Sequence, residues 1–143
     1  NIIRKLSPGA LDNLGLSETI KDSVSNWQKQ HKNLKFFLNI KGSIDNLGEV
    51  ININIYRIIQ ESMNNCLKHS KASEIRINLT LTKENLKLDF SDNGVGFNTK
   101  ILKNSKQFGL IGIKERVQSL KGTFEIQSGQ TRGTKLVILI PKR

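Results

Sequence analysis

Residues 56–70, reading YRIIQESMNNCLKHS, place Glu61 and Asn65 one helical turn apart. Ile55, Ile58, Ile59, Met63, Cys66 and Leu67 recur at helical spacing and form the expected buried stripe. Arg57, Glu61, Asn65 and Lys68 follow one another at steps of three or four along a second face. Side chains at those steps can reach one ligand from a rigid platform. The Asn65 carboxamide offers the neutral, hard oxygen that magnesium accepts while it keeps most of its water. The Glu61 carboxylate offers a base, or a polariser for one of those waters. The same face also fits plain solvation, and the choice depends on what lies downstream.

Downstream, Ser91-Asp92-Asn93-Gly94-Val95-Gly96-Phe97 follows a strand-like run. Gly94 and Gly96 let the backbone turn sharply and let a ligand lie against it. Asp92 can accept a hydrogen bond from an amino group such as the exocyclic amine of adenine. A calcium loop is excluded, because the ladder of alternate acidic ligands and the terminal Glu are missing. Gly109-Leu110-Ile111-Gly112-Ile113 then opens a helix, whose unpaired N–H groups and positive dipole end favour phosphate. A Walker-type loop is excluded, since G-x-x-x-x-G-K-[ST] occurs nowhere. Gly133-Thr134 enters the last strand, where Thr134 can donate or accept near a ligand. Each group alone also fits a turn or an eased packing contact; their order and spacing tie them together.

The elements that must position these residues are legible in outline. Residues 11–30 read as a helix with Leu11, Leu14, Leu16, Ile20, Val24 and Trp27 as its buried set. Residues 34–40 read as a strand and 42–48 as a polar loop, before the helix carrying Glu61, which ends near Lys71. Ile75, Ile77, Leu79 and Leu81 alternate with polar residues, as do Leu86, Leu88 and Phe90, which predicts a hairpin across residues 83–85. A helix over 110–120 closed by Gly122 precedes strands at 123–128 and 134–140. The expected fold is an α+β two-layer sandwich, with three main helices on one face of a mostly antiparallel mixed sheet.

Composition sets the bounds. The 143 residues suit one domain with a real core. Lys plus Arg number 23 against 12 acidic residues, a net charge of +11 that favours polyanionic partners without choosing among them. Cys66 is the only cysteine, which excludes an internal disulfide and a cysteine zinc cluster, and it reads as a packed core thiol in a reducing, cytoplasmic setting. The longest apolar run, 136–140, is too short to span a bilayer. An opening on Asn1 reads as an excised domain.

At these motifs the chain resembles a known family. QESMNNCLKH is similar to the N-box of the GHKL ATPases, DNGVGF to their first glycine box, FGLIGIKERV to their second and GTKL to their last glycine–threonine motif. SPGALDNLGL resembles the linker after the phosphoacceptor hairpin of NarX/DesK-like sensor histidine kinases, and GIKERV resembles their G-M-x-E-R-v helix. The likeness runs from Leu6 to Pro141 and implies the Bergerat (GHKL) fold. It divides the chain into residues 1–13, a linker remnant from an upstream phosphoacceptor hairpin, and 14–143, the ATP-binding catalytic domain.

By that resemblance Glu61 is the catalytic residue and Asn65 the magnesium ligand. The nucleotide is held by Asn65, Lys68, Asp92, Gly94, Gly96, Gly109, Leu110, Gly112 and Thr134, with Lys68 either approaching the phosphates or simply solvated. His69 matches the N-box histidine, not a phosphorylated one. Magnesium is the implied cofactor and ATP the substrate. The implied partners are the kinase's own hairpin and a response regulator, with no nucleic acid. The full-length kinase is expected to be a homodimer and this domain a monomer; the catalytic domain is expected in the cytoplasm, with anchoring of the parent to the membrane left open. Phe108, Ile113 and Ser7 depart from the family pattern, and residues 98–107, with three lysines, correspond to the ATP lid. Two rivals remain at this point. One is another GHKL ATPase or an anti-sigma-type serine kinase. The other is a basic nucleic-acid-binding module, although no arginine-lined reading helix or aromatic platform is visible.

Overall fold

The computed structural model describes residues 8–69, 71–94, 110–129 and 133–142. They form helix α1 (Pro8–Gln30), strand β1 (Lys35–Lys41), helix α2 (Glu49–His69), strands β2 (Glu74–Leu81) and β3 (Asn85–Asp92), helix α3 (Leu110–Ser119), and strands β4 (Thr123–Gly129) and β5 (Gly133–Pro141). A short 3-10 turn at Ile44–Asn46 interrupts what reads in the sequence as a polar loop. Its cause is Ile44, an isolated apolar residue buried to 1% exposure, which plugs the core between α1 and α2.

The described strands build one five-stranded sheet in the order β1-β2-β3-β5-β4. β1 runs parallel to β2, and every other pairing is antiparallel. Ile75, Ile77 and Leu79 of β2, Leu86, Leu88 and Phe90 of β3, and Leu136, Ile138 and Ile140 of β5 bury one face. They pack with Leu16 and Ile20 of α1, Ile55, Ile58, Ile59 and Met63 of α2, and Ile113 and Val117 of α3. This is the expected α+β sandwich, its period-two strands meeting the period-3.6 helices.

α2 follows its predicted stripe with one correction. Leu67 is 39% exposed, because it lies about 100° of helix rotation from the stripe's centre near Ser62 and Cys66. α1 departs in another way: Gly15, with φ 79° and ψ 161°, breaks it. Past the break, Asp45 accepts hydrogen bonds from the Ser17 N–H at 2.8 Å and the Ser17 hydroxyl at 3.0 Å. A residue 28 positions away thus satisfies a helix-start donor that the chain's own turn leaves open.

The end of α3 also differs from the sequence reading. The left-handed residue is Lys121, at φ 58°, not Gly122. Gly122 N–H bonds the Val117 carbonyl and Lys121 N–H the Gln118 carbonyl, the paired closure of a Schellman end. Gly122 is needed for another reason. A Cβ there would lie 2.5 Å from the Leu139 carbonyl oxygen and 2.6 Å from Ile140 Cδ1, so glycine lets the connection press onto β5.

Candidate active site

Glu61 sits on the part of α2 that faces α3. Its Oε1 accepts a hydrogen bond from Arg116 Nε at 3.0 Å, with both side chains 29% exposed. Its Oε2 is buried and has no hydrogen-bond partner among the described residues. Gly112 explains how the carboxylate fits. A Cβ at position 112 would fall 2.8 Å from Oε2, so the bare Cα leaves the space that Glu61 occupies. Leu110, the first residue of α3, is buried at 5% exposure in the core. Its side chain anchors the helix start. One turn after Glu61, Asn65 is half-buried; Lys68 is exposed.

The second cluster forms where β3 ends. Asp92 stands opposite Thr134 in the β3–β5 ladder. Its carboxylate accepts the Gly94 N–H at 2.8 Å, and also bonds with the Thr134 backbone and the Cys66 side chain. Burial pushes the Asp92 carboxyl above the usual carboxylate range, and these hydrogen bonds oppose that rise. Gly133, at φ 73°, makes the approach possible, since a Cβ there would collide with the Asp92 carbonyl at 2.0 Å. Asn93 fastens the turn to the start of β2. Its Oδ1 accepts the N–H groups of Ser73 at 2.9 Å and Glu74 at 2.8 Å, and its Nδ2 donates to Ser73 Oγ at 2.8 Å.

Helix α2 links the two clusters, through Glu61 to α3 and through Cys66 to Asp92, with Asn65 between them in sequence. Cys66 is therefore both the packed thiol expected and a polar contact of the site. Sequence reasoning missed Arg116, Asn93 and this second role of Cys66. The available signals were the D-N-G turn and the placement of Cys66 directly after Asn65. Gly96 and Gly109 lie outside the described residues, as do Ser7, Phe108, the segment 98–107 and the His69 side chain.

The donor chemistry suits magnesium. No group of three His, Cys, Asp or Glu side chains that could cage a metal occurs among the described residues. Magnesium bound through one carboxamide, phosphate oxygens and water needs no such cage, and the half-buried Asn65 would be a fitting carboxamide. No helix among the described residues is long and apolar enough to cross a membrane.

Comparison with known proteins decides the lineage. Residues 51–143 match the family model described as "Histidine kinase-, DNA gyrase B-, and HSP90-like ATPase". The chain belongs to this ATPase family. Within the family it is similar to sensor histidine kinases. It is 36% identical over 138 residues to the signal transduction histidine-protein kinase/phosphatase DegS of Bacillus subtilis, covering 94% of this chain and 36% of that protein. It is 29% identical over 143 residues to the oxygen sensor histidine kinase NreB of Staphylococcus carnosus, covering 99% of this chain and 40% of that one. The chain thus spans well under two thirds of either relative.

Among solved structures, the histidine kinase domain of the blue-light activated histidine kinase of Erythrobacter litoralis superposes with a TM-score of 0.74 at 19% identity, over 90% of this chain and 61% of that one. The mycobacterial sensor histidine kinase MprB gives 0.68 at 17%, over 90% and 95%. At these identities the likeness bears on the fold, which this ATPase domain shares with them.

Proposed function

We propose that this ATPase domain is the cytoplasmic catalytic part of a two-component sensor kinase. It binds magnesium-ATP and hands the γ-phosphoryl group to a histidine on a separate helical hairpin, from which a response-regulator aspartate receives it. Residues 14–143 are the catalytic domain and 1–13 the tail of the linker to that hairpin. The break of α1 at Gly15 supports a boundary there.

The observation that carries the reading is the Glu61 carboxylate, whose Oε2 is buried against α3 and unpartnered among the described residues. Buried polar atoms are ordinarily satisfied, and an exception at a cleft points to a partner that arrives with the ligand. Glu61 would take that role for the attacking group or for a water. Asn65 would hold magnesium, whose part is to neutralise charge on the phosphates. Asp92 would accept from the adenine amine, with Gly94 and Thr134 at its side. Gly112, Leu110 and the preceding Gly109 would present helix N-terminal N–H groups to phosphate, with Gly96 flooring the pocket and Lys68 near its rim. Phosphoryl transfer needs little covalent help from the protein, so positioning and charge do most of the work.

The histidine inventory gives the test. Only His31 and His69 are present. His69 ends α2, and His31 follows α1. Incubated alone with γ-labelled ATP, the chain should bind nucleotide and gain no acid-labile, base-stable label. Adding the parent's helical hairpin should place that label on the hairpin. Stoichiometric phosphohistidine on His31 or His69 of the isolated chain would overturn the assignment of roles.

A further inference from the structure

Both oxygens of the Glu61 carboxylate are governed by one helix. Arg116 Nε takes Oε1 at 3.0 Å, and the bare Cα of Gly112, one turn earlier on α3, leaves room for Oε2. Stability is a poor reason for this arrangement. An ion pair with both side chains 29% exposed contributes little, whereas a buried oxygen without a donor is a cost that Oε2 bears. A pairing designed to hold α2 against α3 would satisfy both oxygens, as the guanidinium fork readily does. Instead, among the described residues, only one oxygen is tethered, which fixes the rotation of the carboxylate and leaves its buried other oxygen without a donor.

We infer that Arg116 is a positioning residue for phosphoryl transfer: it holds Glu61 by one oxygen so that the other is presented to the reacting groups. The inference rests on the role proposed above for Glu61. Arg116 acts through that carboxylate and contacts neither nucleotide nor acceptor. Its guanidinium borders a groove of about 330 Å³ that is also lined by Trp27, Tyr56, Arg57 and Gln60, so the position it fills can be reached from solvent. Orientation of a catalytic side chain by such a partner typically changes rates by roughly tenfold to a hundredfold.

The test uses the parent kinase with its hairpin, labelled in single turnover at saturating γ-labelled ATP. Arg116→Ala should slow phosphohistidine formation roughly tenfold to a hundredfold, with ATP affinity within about threefold of the parent. Arg116→Lys, which keeps the charge without the fork, should fall between them. Because Arg116 acts through Glu61, the double variant Glu61→Gln/Arg116→Ala should be no slower than Glu61→Gln alone. Guanidinium ion at tens of millimolar should restore much of the rate to Arg116→Ala and none to the double variant. Additive losses in the double variant, unaltered transfer in Arg116→Ala, or absence of rescue would reduce the pair to a structural contact. Should Arg116→Ala unfold, Arg116→Lys and its double with Glu61→Gln decide by the same additivity. A parent kinase that forms no phosphohistidine at all would instead refute the proposed function.

Discussion

Gly112 of α3 lies directly against the carboxylate of Glu61 on α2. A side-chain carbon at position 112 would sit 2.8 Å from Oε2 and 3.4 Å from Cδ. Glycine normally weakens a helix, so its presence two residues into α3 calls for a local reason, and the carboxylate supplies one. Gly112→Ala therefore sets two effects against each other. Alanine gains about 1 kcal/mol of helix propensity, while the contact forces Glu61 to shift. We expect a thermal midpoint within about 3 °C of the parent. Phosphoryl transfer in the parent kinase should fall roughly tenfold or more, because a displaced catalytic group loses its alignment. A large drop in midpoint with transfer unchanged would make Gly112 a packing residue and nothing else.

Asp92 should select adenine. Its carboxylate accepts hydrogen bonds, and the adenine amine donates one, whereas guanine presents an acceptor oxygen at the corresponding edge. The Gly94 N–H at 2.8 Å, with the Thr134 and Cys66 bonds, holds the acceptor in place. A mismatch at a buried group of this kind costs roughly 1–3 kcal/mol, about fivefold to 150-fold in affinity. ATP should displace a fluorescent adenine nucleotide at correspondingly lower concentration than GTP. Asp92→Ala should weaken ATP and erase most of the difference. Equal competition by ATP and GTP against the parent chain would rule out this role.

The same carboxylate leaves a signature in stability against pH. Burial raises the Asp92 pKa above its ordinary 3.8. Between 3.8 and that higher value the folded chain holds a proton that the unfolded chain has released. The stability from this extra proton is complete below 3.8 and is lost as pH rises through the folded value. Asp92→Asn cannot titrate. Unfolding free energy of the parent minus that of Asp92→Asn should therefore decrease as pH rises across this window, then level off. Paired urea titrations at closely spaced pH values measure the difference. A difference that grows with pH would mean a depressed carboxyl and would contradict the burial argument.

Much of the candidate site could be read from the sequence because its parts are local. Glu61 and Asn65 share one helix, Asp92, Asn93 and Gly94 form one turn, and the apolar periods of α2, β2 and β3 named the core. What escaped depends on contacts across the fold. Arg116 is 55 residues from Glu61, and nothing in GIKERV alone says which carboxylate it meets. Asp45 caps Ser17 from another segment, so the break at Gly15 reads in sequence as continuous helix. Lys121 adopts φ 58° because the following residue must be the one without a side chain, pressed against β5. A glycine near a helix end invites the assumption that it takes the left-handed position. Leu67 was misplaced for a plainer reason, since a shoulder position on a helix looks apolar in the pattern yet faces solvent.

Asn65 is expected to affect the metal-dependent part of binding. In the proposed role its neutral carbonyl oxygen would be the magnesium ligand, the hard donor that this ion takes alongside phosphate and water. Asn65→Ala should leave metal-free ATP binding nearly unaltered. The gain in affinity on adding magnesium should shrink roughly tenfold, about 1.4 kcal/mol. Calorimetry with and without the ion separates the two components. An undiminished magnesium effect in Asn65→Ala would move the ligand role elsewhere.

The joint at Gly15 can be examined apart from catalysis. Asp45 accepts from the Ser17 N–H and hydroxyl, while its backbone carbonyl accepts from Asn52 Nδ2 at 3.1 Å, so one residue ties α1 to α2. Removing the cap with Asp45→Ala should cost about 1 kcal/mol. Gly15→Ala carries two penalties. Its φ of 79° is unfavourable for any residue with a side chain, and the added carbon would lie 2.9 Å from Asp45 Cγ. That substitution should cost roughly 1–3 kcal/mol. The double variant should lose less than the sum, because truncating Asp45 relieves the clash and leaves only the backbone term. Urea unfolding of the four proteins gives the cycle, and ATP affinity should remain within about twofold throughout, since neither residue belongs to the nucleotide site. Strict additivity would show that the strain at position 15 lies wholly in the backbone and owes nothing to Asp45.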